Sequence, residues 1–284
     1  MDRRKHFGTL VVGALGASAL VACGGGTGEL SVTTYGEDFI EVEIPTAAGP
    51  DDEGFVDGFR LEYDRFLIAL GPLRVADRAG DVGAELTETR VFDMTQPGPH
   101  AVESFAEIDA RRWDRVSVDV APAADAVAGN AAAADVALMN DRSLSSYVEG
   151  TATDGTETYT FAWAFDTDTR FERCRDANGQ MGVVVPTGGS ANVEITVHGD
   201  HFVYDDLQSD DAVLRFRALA DADANGDFDI TLEELDAVTL DRLPADQYGT
   251  GGDGSVATLR DYVESLSRSL IHFQGEGDCE QTRR

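Results

Sequence analysis

The run Tyr159-Thr160-Phe161-Ala162-Trp163-Ala164-Phe165 sets four aromatic side chains at alternate positions. A helix would throw those rings to opposite sides. A strand, which turns successive side chains to opposite faces, gathers them on one. The run is therefore read as a half-buried β-strand. The same period of two recurs in Val116, Val118 and Val120, and again in Val193, Ile195 and Val197. Phe59, Leu61 and Tyr63 alternate as well, but the phase flips at Asp64-Arg65 before Phe66, Ile68 and Leu70 carry on, which predicts a β-bulge. Asp154-Gly155 and Asn178-Gly179 are hairpin-turn dipeptides between such runs. Further strands are expected near 30–34, 38–44, 72–77, 88–93 and 181–186. Many short strands separated by turn signals predict a mainly β fold, an antiparallel β-sandwich over residues 31–205. The alanine-rich piece from Ala123 to Asn140 interrupts it as a short helix or a loop insertion.

Beyond residue 206 the spacing becomes helical. Val213, Phe216, Leu219 and Ala220 share a face, and Thr231 to Leu243 forms a second segment stopped by Pro244. Val256, Leu259, Tyr262, Val263, Leu266 and Leu270 mark a longer amphipathic helix with Gly275 as its stop and His272 in its last turn, where the helix dipole favours a cation. Residues 206–284 are thus expected to form a small helical C-terminal region. Its tail, Gly275 to Arg284, is expected to be loose except where Cys279 holds it.

The chain opens with a basic Met-Asp-Arg-Arg-Lys, followed by an apolar stretch from Phe7 to Ala22. That stretch falls short of the roughly 20 apolar residues of a membrane span, and its flanks fit a secretory signal. It ends Leu20-Val21-Ala22-Cys23, which resembles the lipobox of bacterial lipoproteins. The resemblance implies a signal peptide at 1–22 and acylation of Cys23, which becomes the new N-terminus. It also implies a membrane-anchored protein with a Gly-rich tether over 23–30. Several acyl chains anchor stably where one does not. Gly24 after the cysteine, in place of a retaining Asp, favours the outer membrane. Arg3-Arg4 leaves twin-arginine export open beside the general route.

Once residues 1–22 are removed, three of the 22 basic residues and one of the 53 acidic ones are gone, and the formal charge moves from −31 to −33. Lys5 is the single lysine of the chain. Such a surface repels nucleic acid and anionic lipid and attracts cations, and it also suits a salty habitat. Besides Cys23 the chain has Cys174 and Cys279. In an oxidising compartment they are expected to pair. A bridge across about 105 residues is worth about 4.7 kcal/mol on the chain-entropy model.

The strongest chemical signal lies at residues 221–235, Asp-Ala-Asp-Ala-Asn-Gly-Asp-Phe-Asp-Ile-Thr-Leu-Glu-Glu-Leu. Calcium takes six to eight oxygens, and a twelve-residue loop supplies them from alternate positions and a closing bidentate Glu. The segment resembles an EF-hand loop starting at Asp223. The resemblance implies Asp223, Asn225, Asp227, the Asp229 carbonyl, Thr231 and Glu234 as calcium ligands, with Asp221 as an additional contributor. Ile230 would pin the loop to the core. Phe228 stands where the family has Gly, and positive φ at a non-Gly residue costs roughly 1–2 kcal/mol. A register starting at Asp221 puts Gly226 there instead but loses the Glu. Read without calcium, Thr231 to Glu234 is a capping box.

A second candidate site is Val197-His198-Gly199-Asp200-His201. The alternation points His198 to the polar face of its strand, and a turn at Gly199 would bring Asp200 and His201 to it. Two imidazoles and a carboxylate suit zinc, copper or iron. Further ligands are sought among Glu37, Asp38, Glu41, Asp205 and Asp206. A hydrogen-bonded cluster at a strand end accounts for the same residues. Trp113 and Trp163 fall on strand patterns and are read as core. The chain has no G-x-S-x-G, H-E-x-x-H, P-loop or dinucleotide signature, so the reading leans away from an enzyme. It favours a calcium-binding lipoprotein that engages a protein or small ligand. The alternative is a transition-metal binding or delivery lipoprotein.

Overall fold

The computed structural model describes residues 25–49, 52–209 and 211–284. The expected signal peptide and Cys23 lie outside the described residues. The fold is mainly β. Its larger sheet is organised on the 17-residue strand Arg60–Ala76. On one side of this strand lie Ser146–Thr153, Thr158–Phe165 and the short Asp229–Ile230, and on the other lie Arg115–Val120, Thr169–Arg175 and Asp278–Arg283. Val82–Leu86 and Arg90–Asp93 also pair with the long strand. The smaller sheet runs in the order Ile271–Phe273, Ser190–Val197, Thr27–Gly36, His100–Asp109. Its central pair is parallel.

The phase flip in the sequence is a register shift between Tyr63 and Arg65 against Ser146–Thr153. The side chains on the two sides of the flip therefore join one cluster, with Phe59, Leu61, Tyr63, Phe66, Ile68 and Leu70 all buried in it. Leu67 and Ala69 face the other way. Helix Ala133–Arg142 covers them, bringing Met139 down on that face. Asn140 ties the helix to the preceding loop through both the N–H and the carbonyl of Ala126, each at 2.9 Å. Val32, Val193 and Ile195 of the smaller sheet join the same main cluster as Val116 and Val118 of the larger one. Trp113 and Trp163 are buried in it too.

Several expectations need correction. The strand expected over 38–44 is instead a one-turn helix, Asp38–Glu41, followed by a single bridge at Ile44. The first strand starts at Thr27, inside the segment read as tether. The longest C-terminal helix spans only Leu259–Leu266, opened by a capping box between Thr258 and Asp261 and ended at Ser267. His272 therefore lies beyond it, on the strand Ile271–Phe273. The period-two run Ile271-His272-Phe273, with both apolar residues buried and His272 less so, decides that segment. The tail is not loose. Asp278–Arg283 pairs antiparallel with Thr169–Arg175, and a Cys174–Cys279 disulfide joins the two strands. Strands from beyond residue 206 thus complete both sheets.

Candidate metal centre

Strand register assembles the site. Thr27–Gly36 and Ser190–Val197 run parallel with Gly36 opposite Val197, so both chains leave the sheet at the same level. The next residues, Glu37 and His198, are thereby neighbours, with the Glu37 N–H on the Val197 carbonyl at 3.3 Å. On the other flank Thr196 pairs with His272. That register places His272 diagonally to His198 on one face, within reach of a long side chain. The ring centroids of His198 and His272 are 4.0 Å apart.

Gly199 then turns the chain. An added Cβ there would lie 2.5 Å from Ile40 Cγ1 and 2.9 Å from Tyr63 Cε2, so only glycine fits. Tyr63 donates its hydroxyl to the Gly199 carbonyl at 2.6 Å. The following 3₁₀ turn, Asp200–Val203, brings His201 round, with its ring centroid 5.4 Å from His198 and 5.1 Å from His272. Ser269 fixes its tautomer. The Ser269 hydroxyl donates to the Leu266 carbonyl at 2.9 Å, so its oxygen accepts from His201 Nδ1–H at 3.0 Å. The Nε2 lone pair of His201 is left as the ligating one.

One nitrogen from each of the three histidines lies within 4.8 Å of the other two. A tetrahedral ion with metal–nitrogen bonds near 2.0 Å needs separations of about 3.3 Å, a change within the range of side-chain rotation. Glu37, His198 and Glu276 form a second such group. His198 Nε2 is 2.9 Å from Glu37 Oε1, an ion pair when the ring is protonated, and it makes no other polar contact. His272 Nδ1 and Asp200 Oδ1 are buried without partners as well. Asp200 uses its other oxygen to accept the Tyr204 hydroxyl at 2.7 Å, and its orphan oxygen is 3.9 Å from His198 Nδ1. Buried polar atoms are normally paired. Here three are unpaired on residues of one cluster.

His198 is only 4 % exposed, so the polar face expected for it is covered. Burial opposes charge on its ring, but the Glu37 carboxylate outweighs burial, with Asp200 and Glu276 adding, and its pKa is raised. His201 is lowered to about 3 by burial and by the charge of His198. His272 is lowered to about 3 by burial, then by His198 and His201. Two of the three rings are therefore neutral at pH 7, as metal ligation requires. The rings border a hollow of about 340 Å³ whose wall carries Glu37, Asp52, Glu53 and Glu276. Burial raises the pKa of Glu276, with Glu37 and Asp200 adding.

His198, Asp200 and His201, expected together from sequence, are together, and Glu37 is the carboxylate that joins them. Asp205 is instead paired with Arg215 at 2.6 Å, and Asp206 accepts the N–H groups of Gln208 and Ser209. His272 is the member that sequence reasoning missed.

The loop at 221–234 takes a specific path. Asp223 accepts from the N–H groups of Gly226 and Phe228, Asn225 from Asp227, and Asp227 from Asp229. Phe228 has φ +65°, the left-handed conformation expected at the position where EF-hands place Gly. Ile230 is fully buried, and the Trp163 indole donates to its carbonyl at 2.8 Å. Asp229–Ile230 pairs parallel with Thr160–Phe161. Thr231 and Glu234 form a reciprocal capping box, with Glu234 Oε2 accepting from the N–H and hydroxyl of Thr231. Asp221 is exposed at the C-cap of a one-turn helix, Arg217–Ala220. Among the described residues, no three carboxylates of this loop bring oxygens within 4.8 Å of one another.

The chain matches no known family, no curated protein and no solved structure.

Proposed function

We propose that this protein is a lipid-anchored metal-binding module, and that His198, His201 and His272 ligate one transition-metal ion with Glu37 completing or positioning the site. The observation that carries the reading is that His198, His201 and His272 each bring one ring nitrogen within 4.8 Å of the others, while His198 Nε2 and His272 Nδ1 are buried without hydrogen-bond partners. Imidazole-rich donor sets select zinc and copper, with copper bound more tightly in the divalent series. The acidic wall of the hollow draws a cation and disfavours an anionic ligand. Binding or delivery of the metal, in place of turnover, fits the absence of a catalytic motif. A protein that receives the ion is the natural partner, and acylated Cys23 would hold the module at the outer membrane. In the finer architecture we propose, the two sheets pack as a sandwich and the C-terminal region carries an EF-hand-like loop.

A second, compatible reading is calcium at Asp223, Asn225, Asp227, Asp229, Thr231 and Glu234, with Asp221 nearby. It is favoured by the positive φ of Phe228. On this reading Glu234 must leave its capping role to close the site. Metal analysis of purified protein, followed by thermal unfolding with chelator, zinc, copper or calcium, tests both. A folded-state ligand stabilises by about 2.7 kcal/mol at a hundredfold excess over Kd. Stabilisation by zinc or copper that survives Glu234→Gln but not His198→Gln supports the histidine centre. No response to either metal would overturn it.

A further inference from the structure

A hollow of about 230 Å³ opens on the larger sheet, and its walls carry Arg74, Arg115, Arg170 and Arg173. Register explains the gathering. Arg74 pairs with Ser117, which pairs on its other side with Glu172, while Ala76 pairs with Arg115 and Asp119 with Arg170. Alternate residues of three adjacent strands therefore present guanidinium groups to one face. Arg170 is neutralised by Asp119 at 2.8 Å, and Arg173 by Glu280 at 3.1 Å. Glu172 also lines the hollow.

Arg74 and Arg115 differ from these two. Arg74 donates to the Gly80 carbonyl at 3.3 Å and Arg115 to the Arg78 carbonyl at 2.8 Å. Neither has a carboxylate within ion-pair distance among the described residues. In a chain with 53 acidic and 22 basic residues, carboxylates are in excess, and two neighbouring arginines left without one are unexpected.

We propose that this hollow is a phosphate-binding site. The planar guanidinium fork matches two oxygens of a phosphate at once. Arg74 and Arg115 are already oriented by backbone carbonyls, so little side-chain freedom remains to be lost on binding. Its place in the fold bears on the source of the phosphate. The Gly26 carbonyl accepts from Ala110, the next residue Arg111 lies 3.0 Å from Asp77, and Asp77 opens the turn that supplies the Gly80 carbonyl. A hydrogen bond and an ion pair thus link the turn at the edge of the hollow to Gly26, three residues after Cys23 in the sequence. Lipid headgroup phosphate and free phosphate share the chemistry, and this link toward the expected anchor is the reason to test a headgroup beside free phosphate.

The test uses the full chain with Cys23→Ser, so that binding cannot come from acylation. Inorganic phosphate is titrated by calorimetry at low ionic strength. Separately, flotation is measured with vesicles of phosphatidylglycerol and phosphatidylcholine, and of phosphatidylcholine alone. Phosphate binding, or flotation on the phosphatidylglycerol vesicles, that falls at least tenfold in Arg74→Gln/Arg115→Gln and is unchanged in Arg60→Gln supports the site. Phosphate alone identifies a soluble ligand, and vesicles identify a headgroup. Binding to neither overturns the site, and so does binding that the double variant leaves intact while its melting temperature matches the parent.

Discussion

If the three histidines share a metal, the number of protons released on binding follows from their surroundings. His201 and His272 are held to about 3 and are neutral above pH 5. His198, whose pKa is raised by Glu37, is the ring that carries a proton in this range. Because the folded pKa of His198 is raised, its proton stabilises the free protein at low pH and must leave when the metal arrives. One proton is then released per ion, and affinity rises tenfold per pH unit, which is about 1.4 kcal/mol. Over pH 5 to 6.5 the gain is at most roughly 30-fold. Three exposed histidines with ordinary pKa values near 6.5 would release almost three protons at pH 5 and gain roughly 4,000-fold. The assay is zinc competition against a chromophoric chelator in non-coordinating buffers, corrected for protonation of the chelator. A gain of several thousandfold, or none, would refute the arrangement.

Other outcomes follow from the same geometry. Glu37→Gln removes the carboxylate that holds the His198 proton. It should weaken metal binding about 10–100-fold and flatten the pH dependence between 5 and 6.5, read in the same competition assay. Gly199→Ala drives a methyl group against Ile40 and Tyr63. It should cost about 1–3 kcal/mol in urea unfolding, as overpacking does, and weaken metal binding by displacing His201. Paired Cys174→Ser/Cys279→Ser substitution opens a loop of separation 105 and should cost about 4.7 kcal/mol in the same unfolding experiment. Glu234→Gln should abolish any calcium-dependent rise in melting temperature while costing less than about 1–2 kcal/mol without calcium, since Gln still serves a capping box.

Legibility in the sequence depended on how local each determinant is. The bulge in Arg60–Ala76 was legible because one residue out of phase leaves the alternation visible on both sides. The turn at Gly199 was legible because His198, Asp200 and His201 are adjacent in the chain. The pairing of Cys174 with Cys279 was legible by elimination. Glu37 could be named as one of several acidic residues but not chosen. Its position depends on parallel register between strands separated by more than 150 residues. His272 was misplaced because Leu259, Tyr262, Val263 and Leu266 set a helical period that Leu270 continues in the sequence. Ser267 ends that helix, and the short apolar alternation after it was too brief to announce a strand.

The most direct test of the metal centre is electron paramagnetic resonance on metal-free protein given one equivalent of divalent copper. The expected result is a single species at 1:1 stoichiometry whose nitrogen couplings report three imidazoles, falling to two in His272→Gln. A spectrum of unbound or heterogeneous copper, or one that His272→Gln leaves unchanged, would contradict it.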